Sequence, residues 1–120
     1  MREYLLYING EFVPSSSRQT FDSINPFNQE IVARVARANA DDANRAVASA
    51  RKAFDEGPWT KMSKEERSAL LKAVSDKINQ KKNELELLEV EDSGSTIRKA
   101  KEDIFLSARA MNYFSKLAMM

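Results

Sequence analysis

The spacing of apolar residues changes at Asn39, and nothing else in this 120-residue chain restricts its fold so tightly. Before that point apolar and β-branched residues come in short runs or alternate with polar ones, the period of a strand. After it they recur every three or four residues, the period of one helix face. A chain patterned in this way is α+β: two N-terminal hairpins or strand pairs followed by three to four helices. An apolar share of 42% against 31% charged residues suits a globular chain rather than a disordered one. At this length one small domain is expected, with a β-rich arm over residues 1–38 and a helical part over 39–120.

Local signals place the elements. Residues 4–13 carry apolar and aromatic side chains on both sides of Asn9-Gly10, the dipeptide best able to supply the two positive φ values of a type I′ turn, so a tight hairpin is predicted. Pro14 and Ser15-Ser16-Ser17 read as the loop after it. Residues 20–25 and 30–37, separated by Pro26-Phe27-Asn28-Gln29, predict a second strand pair. Asn39 and Asp42 form a capping box for a helix whose face is Ala43, Ala46, Val47, Ala50 and Phe54, stopped by Gly57-Pro58. Ser63 and Glu66 form a second box, so the next helix begins at Lys64 with Leu70, Leu71, Val74 and Ile78 as its stripe. That stripe is interrupted at residues 80–83, which predicts a break near Asn83. It resumes with Leu85 and Leu88 and closes at Gly94 in the left-handed conformation. A last helix is expected from about Ile97 to the chain end, with Ile104, Ala108, Met111 and Leu117 on its buried side. No stop signal follows Leu117, so the sequence reads as cut inside an element.

Composition removes several function classes. There is no Cys and no His, which excludes disulfides, thiolate nucleophiles, imidazole bases and ordinary zinc sites. A net charge of +1 is too small for a nucleic-acid footprint. No apolar run approaches the roughly 20 residues that cross a bilayer, and residues 1–7 lack the pattern of a secretory signal, so the expectation is no membrane and a cytoplasmic location.

The remaining candidate clusters have plain readings. Glu84, Glu86, Glu89, Glu91 and Asp92 hold enough carboxylates for acid–base work, yet such a run is the usual solvated face of a surface helix. Arg98, Lys99 and Lys101 read as surface charge rather than an anion site. Trp59 is expected to be buried against the neighbouring helices, given how much area an indole contributes to a core.

Four blocks in order carry a family resemblance: Tyr7-Ile8-Asn9-Gly10-Glu11-Phe12-Val13; Ile24-Asn25-Pro26 with Glu30-Ile31-Val32-Ala33; Ala46-Val47-Ala48-Ser49-Ala50-Arg51-Lys52-Ala53-Phe54; and Trp59 ahead of Glu66-Arg67-Ser68-Ala69-Leu70-Leu71. A fifth, Glu91-Asp92-Ser93-Gly94, is an acidic pair before a glycine turn. Together they resemble the opening of the aldehyde dehydrogenase superfamily over essentially the whole chain. Ser95 departs from the Lys that many relatives carry after the glycine, and Met119-Met120 matches no family pattern.

The resemblance implies that residues 1–120 are a single incomplete domain, the N-terminal part of a larger α/β enzyme with a Rossmann-like cofactor domain. It implies an NAD(P)-dependent parent, a homo-oligomer, that oxidises an aldehyde to a carboxylic acid, with NAD or NADP held by the parent and none by this chain alone. Cys nucleophile, Glu base and glycine-containing cofactor turn are all expected beyond Met120, so no catalytic and no cofactor-binding residue is assigned here. Its partners are then the remainder of the enzyme, other subunits and, in the parent, a small aldehyde. Several members hold a monovalent cation through a backbone carbonyl just before the Asn-Pro pair and an Asp on a later helix, which here points to Ser23 and Asp103. The rival reading is a free-standing helical interaction or oligomerisation module derived from such an enzyme.

Overall fold

The computed structural model describes residues 1–120, which divide into two compact units, Met1–Thr60 and Lys61–Met120. The first holds β1 (Arg2–Tyr4), β2 (Leu6–Ile8), β3 (Glu11–Val13), β4 (Thr20–Ile24), β5 (Ile31–Ala36) and α1 (Ala40–Glu56). The second holds α2 (Lys64–Gln80), α3 (Lys82–Ser93) and α4 (Ile97–Leu117). The α+β class expected from the pattern is the class observed, with four helices.

In the first unit β2 and β3 pair antiparallel across Asn9 (φ 56) and Gly10 (φ 79), the two left-handed residues of a type I′ turn. The other strands form a sheet in the order β1-β5-β4. β4 runs antiparallel to β5 with a register shift between Ser23 and Ile24, and the loop between them is closed by the Asn25 side chain, which accepts from the Phe27 N–H at 2.9 Å. β1 pairs parallel with β5, Arg2 opposite Ala33. The strand pattern does not announce β1: three residues, two of them charged, join a partner some thirty positions away with no turn signal between.

Both capping boxes form as expected. Asn39 Oδ1 accepts from the Asp42 N–H and Asp42 Oδ2 from the Asn39 N–H, each at 3.1 Å. Ser63 and Glu66 do the same at the start of α2. The break after α2 falls at Lys81, two residues before the expected Asn83, because Lys81 leaves the helical region (φ −100, ψ 10) and shares its N–H between the Lys77 and Ile78 carbonyls. Gly94 closes α3 at φ 72, as its position predicts.

Within the second unit α2 packs on α4 through small residues rather than along the whole leucine stripe. Ser75 and Ala108 are buried, and Ser75 Oγ donates to the Ala108 carbonyl at 2.7 Å. Two small side chains let the helix backbones approach closely, which turns the contact line so that Leu71 and Ile78 are half-buried while Leu70 and Val74 stay exposed. On α4, Ala100, Ala108 and Ser115 are buried and Ile104 and Met111 half-buried, but Leu117, expected inside, is exposed. Ser75→Ala is expected to cost about 1 kcal/mol, the net worth of one neutral buried hydrogen bond, as a lower urea midpoint followed by far-UV circular dichroism.

Candidate functional site

Ser23 and Asp103 lie in different units. Ser23 is half-buried in β4, opposite Ala33 and next to the register shift. Asp103 sits in the second turn of α4, where its carboxylate is hydrogen-bonded and ion-paired to Lys99 one turn earlier. That hydrogen bond, reinforced by the carboxylate charge, raises the Lys99 pKa above its ordinary value, so the ammonium stays protonated well past neutral pH. The charge of Asp103 is therefore already met by a cation of the chain itself. No group of three or more Asp or Glu side chains converges in a way that could hold a metal ion.

The acidic run on α3 behaves as a polar helix surface. Glu84 is exposed and paired with Lys81 at 3.0 Å, Asp92 is exposed, and Glu86, Glu89 and Glu91 are half-buried. Arg98, Lys99 and Lys101 are exposed. Trp59 corrects the expectation of burial: it is 44% exposed in a short 3₁₀ turn after Pro58.

Each of the three glycines turns or ends a local element. Gly10 turns the hairpin, Gly57 ends α1 and Gly94 ends α3. None stands between a strand and the N-terminus of a following helix, where backbone N–H groups cradle a pyrophosphate.

The most elaborate side-chain cluster is structural. Asp42 is 1% exposed and accepts from the Ser16 N–H at 3.1 and 3.2 Å and from the Asn39 N–H, with Arg45 Nη1 at 3.4 Å. Asn39 Nδ2 donates to Ser16 Oγ at 2.8 Å, and the buried Ser15 hydroxyl donates to the Gln19 carbonyl at 3.1 Å. The cap itself is readable in the sequence, but the tie to Ser16 spans 26 positions and has no local signal. The network fixes the start of α1 to the loop before β4.

What remains is surface. The α1 face that the helical period brings together is uncovered: Val47 is 68% and Phe54 62% exposed. The hairpin meets only one edge of that face, along Ala46, Ser49, Ala50 and Ala53, leaving a groove there. The accessible surface is 9008 Å², against roughly 7,900 Å² for the two units counted as separate folded bodies. A surplus of roughly 1,000 Å² or more is what one partner contributes to a large permanent interface.

Comparison with known proteins accounts for such a chain. The model of the aldehyde dehydrogenase family matches residues 12–120. A mitochondrial benzaldehyde dehydrogenase of Antirrhinum majus is 41% identical over 111 residues, covering 92% of this chain and 21% of its own length. A putative aldehyde dehydrogenase of Bacillus subtilis is 42% identical with the same coverage of this chain and 22% of its own length. The crystal structure of an NAD-dependent aldehyde dehydrogenase from Sinorhizobium meliloti superposes with a TM-score of 0.93 at 37% identity, over 97% of this chain and 24% of that one. A betaine aldehyde dehydrogenase from Staphylococcus aureus, crystallised with NAD⁺, superposes at 0.90, over 92% of this chain and 23% of that one, also at 37% identity. The chain thus spans about a fifth of the length of the curated relatives it matches, and it belongs to the aldehyde dehydrogenase family.

Proposed function

We propose that this chain is the N-terminal portion of an NAD(P)-dependent aldehyde dehydrogenase, structural and non-catalytic by itself. The observation that carries this reading is the uncovered apolar surface, led by Val47 and Phe54 on α1, in a chain that matches only about a fifth of its relatives' length. Residue types support it. Oxidation of an aldehyde through a thioacyl-enzyme needs a thiolate nucleophile, and this chain has no Cys.

On this reading residues 1–120 form one incomplete domain, a β-rich arm over 1–38 and a helical part over 39–120, within a cytoplasmic homo-oligomer. The parent acts on a small aldehyde with NAD or NADP, and the chain alone takes neither. Ser23, through its carbonyl, and Asp103 are candidate oxygen ligands for a monovalent cation in that parent, a role that requires Lys99 to release the Asp103 carboxylate.

The test is an assay of the purified chain with NAD or NADP and a simple aldehyde. No reduced cofactor should form above the rate without protein; measurable turnover would overturn the assignment. Light scattering adds a second arm, because a monodisperse, cooperatively melting dimer would show instead a self-sufficient interaction module.

A further inference from the structure

We propose that the groove between α2 and α4 in the second unit binds a small carboxylate with an apolar body. The groove has a volume of about 270 Å³, just below the roughly 300–1,000 Å³ of pockets that take drug-sized ligands, so its ligand is fragment-sized. Arg109 on its wall takes part in none of the ion pairs of the chain. The other two charges of the groove, Lys72 and Asp76, neutralise one another in an i,i+4 pair, leaving one uncompensated positive charge.

The chemistry around that charge is selective. The guanidinium presents a planar fork that matches two carboxylate oxygens. Asn79 and Asn112 line the same groove from opposite helices and add carboxamide donors. Phe105, 60% exposed, gives the groove an apolar wall that a hydrocarbon body would cover. The floor is closed by the Ser75–Ala108 hydrogen bond, so its polar groups are already committed. A phosphate would bring a second negative charge toward Asp76 and leave the Phe105 ring wet, which favours the singly charged carboxylate. The proposal concerns the second unit of this chain alone, and its test does not depend on the assay that tests the enzyme-segment reading.

The probe is benzoate, titrated into the full chain and followed by the amide and side-chain NMR signals of Asn79, Arg109 and Asn112. An exposed charge pair is weak, so saturation is expected with a dissociation constant on the order of 1 mM. Benzamide, with the same ring and no charge, should bind at least tenfold more weakly, and so should inorganic phosphate. Arg109→Gln should weaken benzoate at least tenfold, whereas Asp76→Asn, which removes the only negative charge and frees Lys72, should tighten it severalfold. The opposite signs distinguish a site from a folding defect, since damage to the helices would weaken binding in both variants. Equal binding of benzamide or phosphate, unchanged binding in Arg109→Gln, or weaker binding in Asp76→Asn each overturns the proposal.

Discussion

Replacing Asp42 by Ala is expected to destabilise the first unit by about 3 kcal/mol, more than any exposed substitution in the chain. The carboxylate is 1% exposed and serves two roles at once. It accepts from the Asn39 N–H as half of the capping box, and through both oxygens from the Ser16 N–H. Loss of a cap accounts for about 1 kcal/mol, and a charge-assisted hydrogen bond to a partly buried amide for about 2 kcal/mol more. Arg45 contributes little to this: its 3.4 Å contact comes from a side chain 52% exposed, so Arg45→Ala should cost no more than about 0.5 kcal/mol. Asp42→Asn keeps one acceptor oxygen and should fall between. Urea titration followed by the fluorescence of Trp59, the only tryptophan and a residue of the same unit, reads the difference. If Asp42→Ala and Arg45→Ala cost the same, the network does not fasten α1 to its loop.

The contrast within that network shows what the sequence can and cannot disclose. Asn39 and Asp42 are three positions apart, and the geometry joining them is set by the first turn of a helix, so the capping box is legible. Asn9-Gly10 and Gly94 are legible for the same reason: each encodes a backbone angle within one or two residues. Ser16 meets Asp42, Ser75 meets Ala108 and β1 meets β5 only after distant segments are brought together, and none of these pairs leaves a local trace. Helical period shows that Val47 and Phe54 share a face, but not what covers it; here nothing in the chain does. The absence of Cys and His is complete information about which chemistries these residues lack. Five ordered blocks carry the resemblance, and the family is shown by a match over residues 12–120 that takes in the last four. Ser23 and Asp103 come from that resemblance alone. The Lys99–Asp103 pair shows how local helix geometry engages one of them: four residues apart on α4, the two side chains meet before any external ligand does.

Gly57→Ala should cost about 3 kcal/mol, and the reason is room rather than backbone angle. At φ −71 and ψ 170 Gly57 occupies extended backbone open to any residue, so no left-handed penalty applies. Its N–H donates to the Ala53 carbonyl at 3.0 Å, ending α1, and a Cβ at this position would lie 2.1 Å from that same oxygen and 3.0 Å from its carbon. Both are backbone atoms, which cannot swing aside as a flexible side chain would. The methyl group fits only if the last turn of α1 opens, giving up the closing hydrogen bond and displacing Pro58 and Trp59. Gly10 supplies the internal standard. It has φ 79 but open space where a Cβ would stand, so Gly10→Ala carries the conformational penalty alone, about 1 kcal/mol. The two variants share one unit and can be compared by urea unfolding with far-UV circular dichroism, alongside hydrogen exchange of the residue 57 amide, which should accelerate in Gly57→Ala but not in Gly10→Ala. A cost for Gly57→Ala no larger than that for Gly10→Ala would mean that the helix end yields freely, and that α1 is not held at its C-terminus by this close approach.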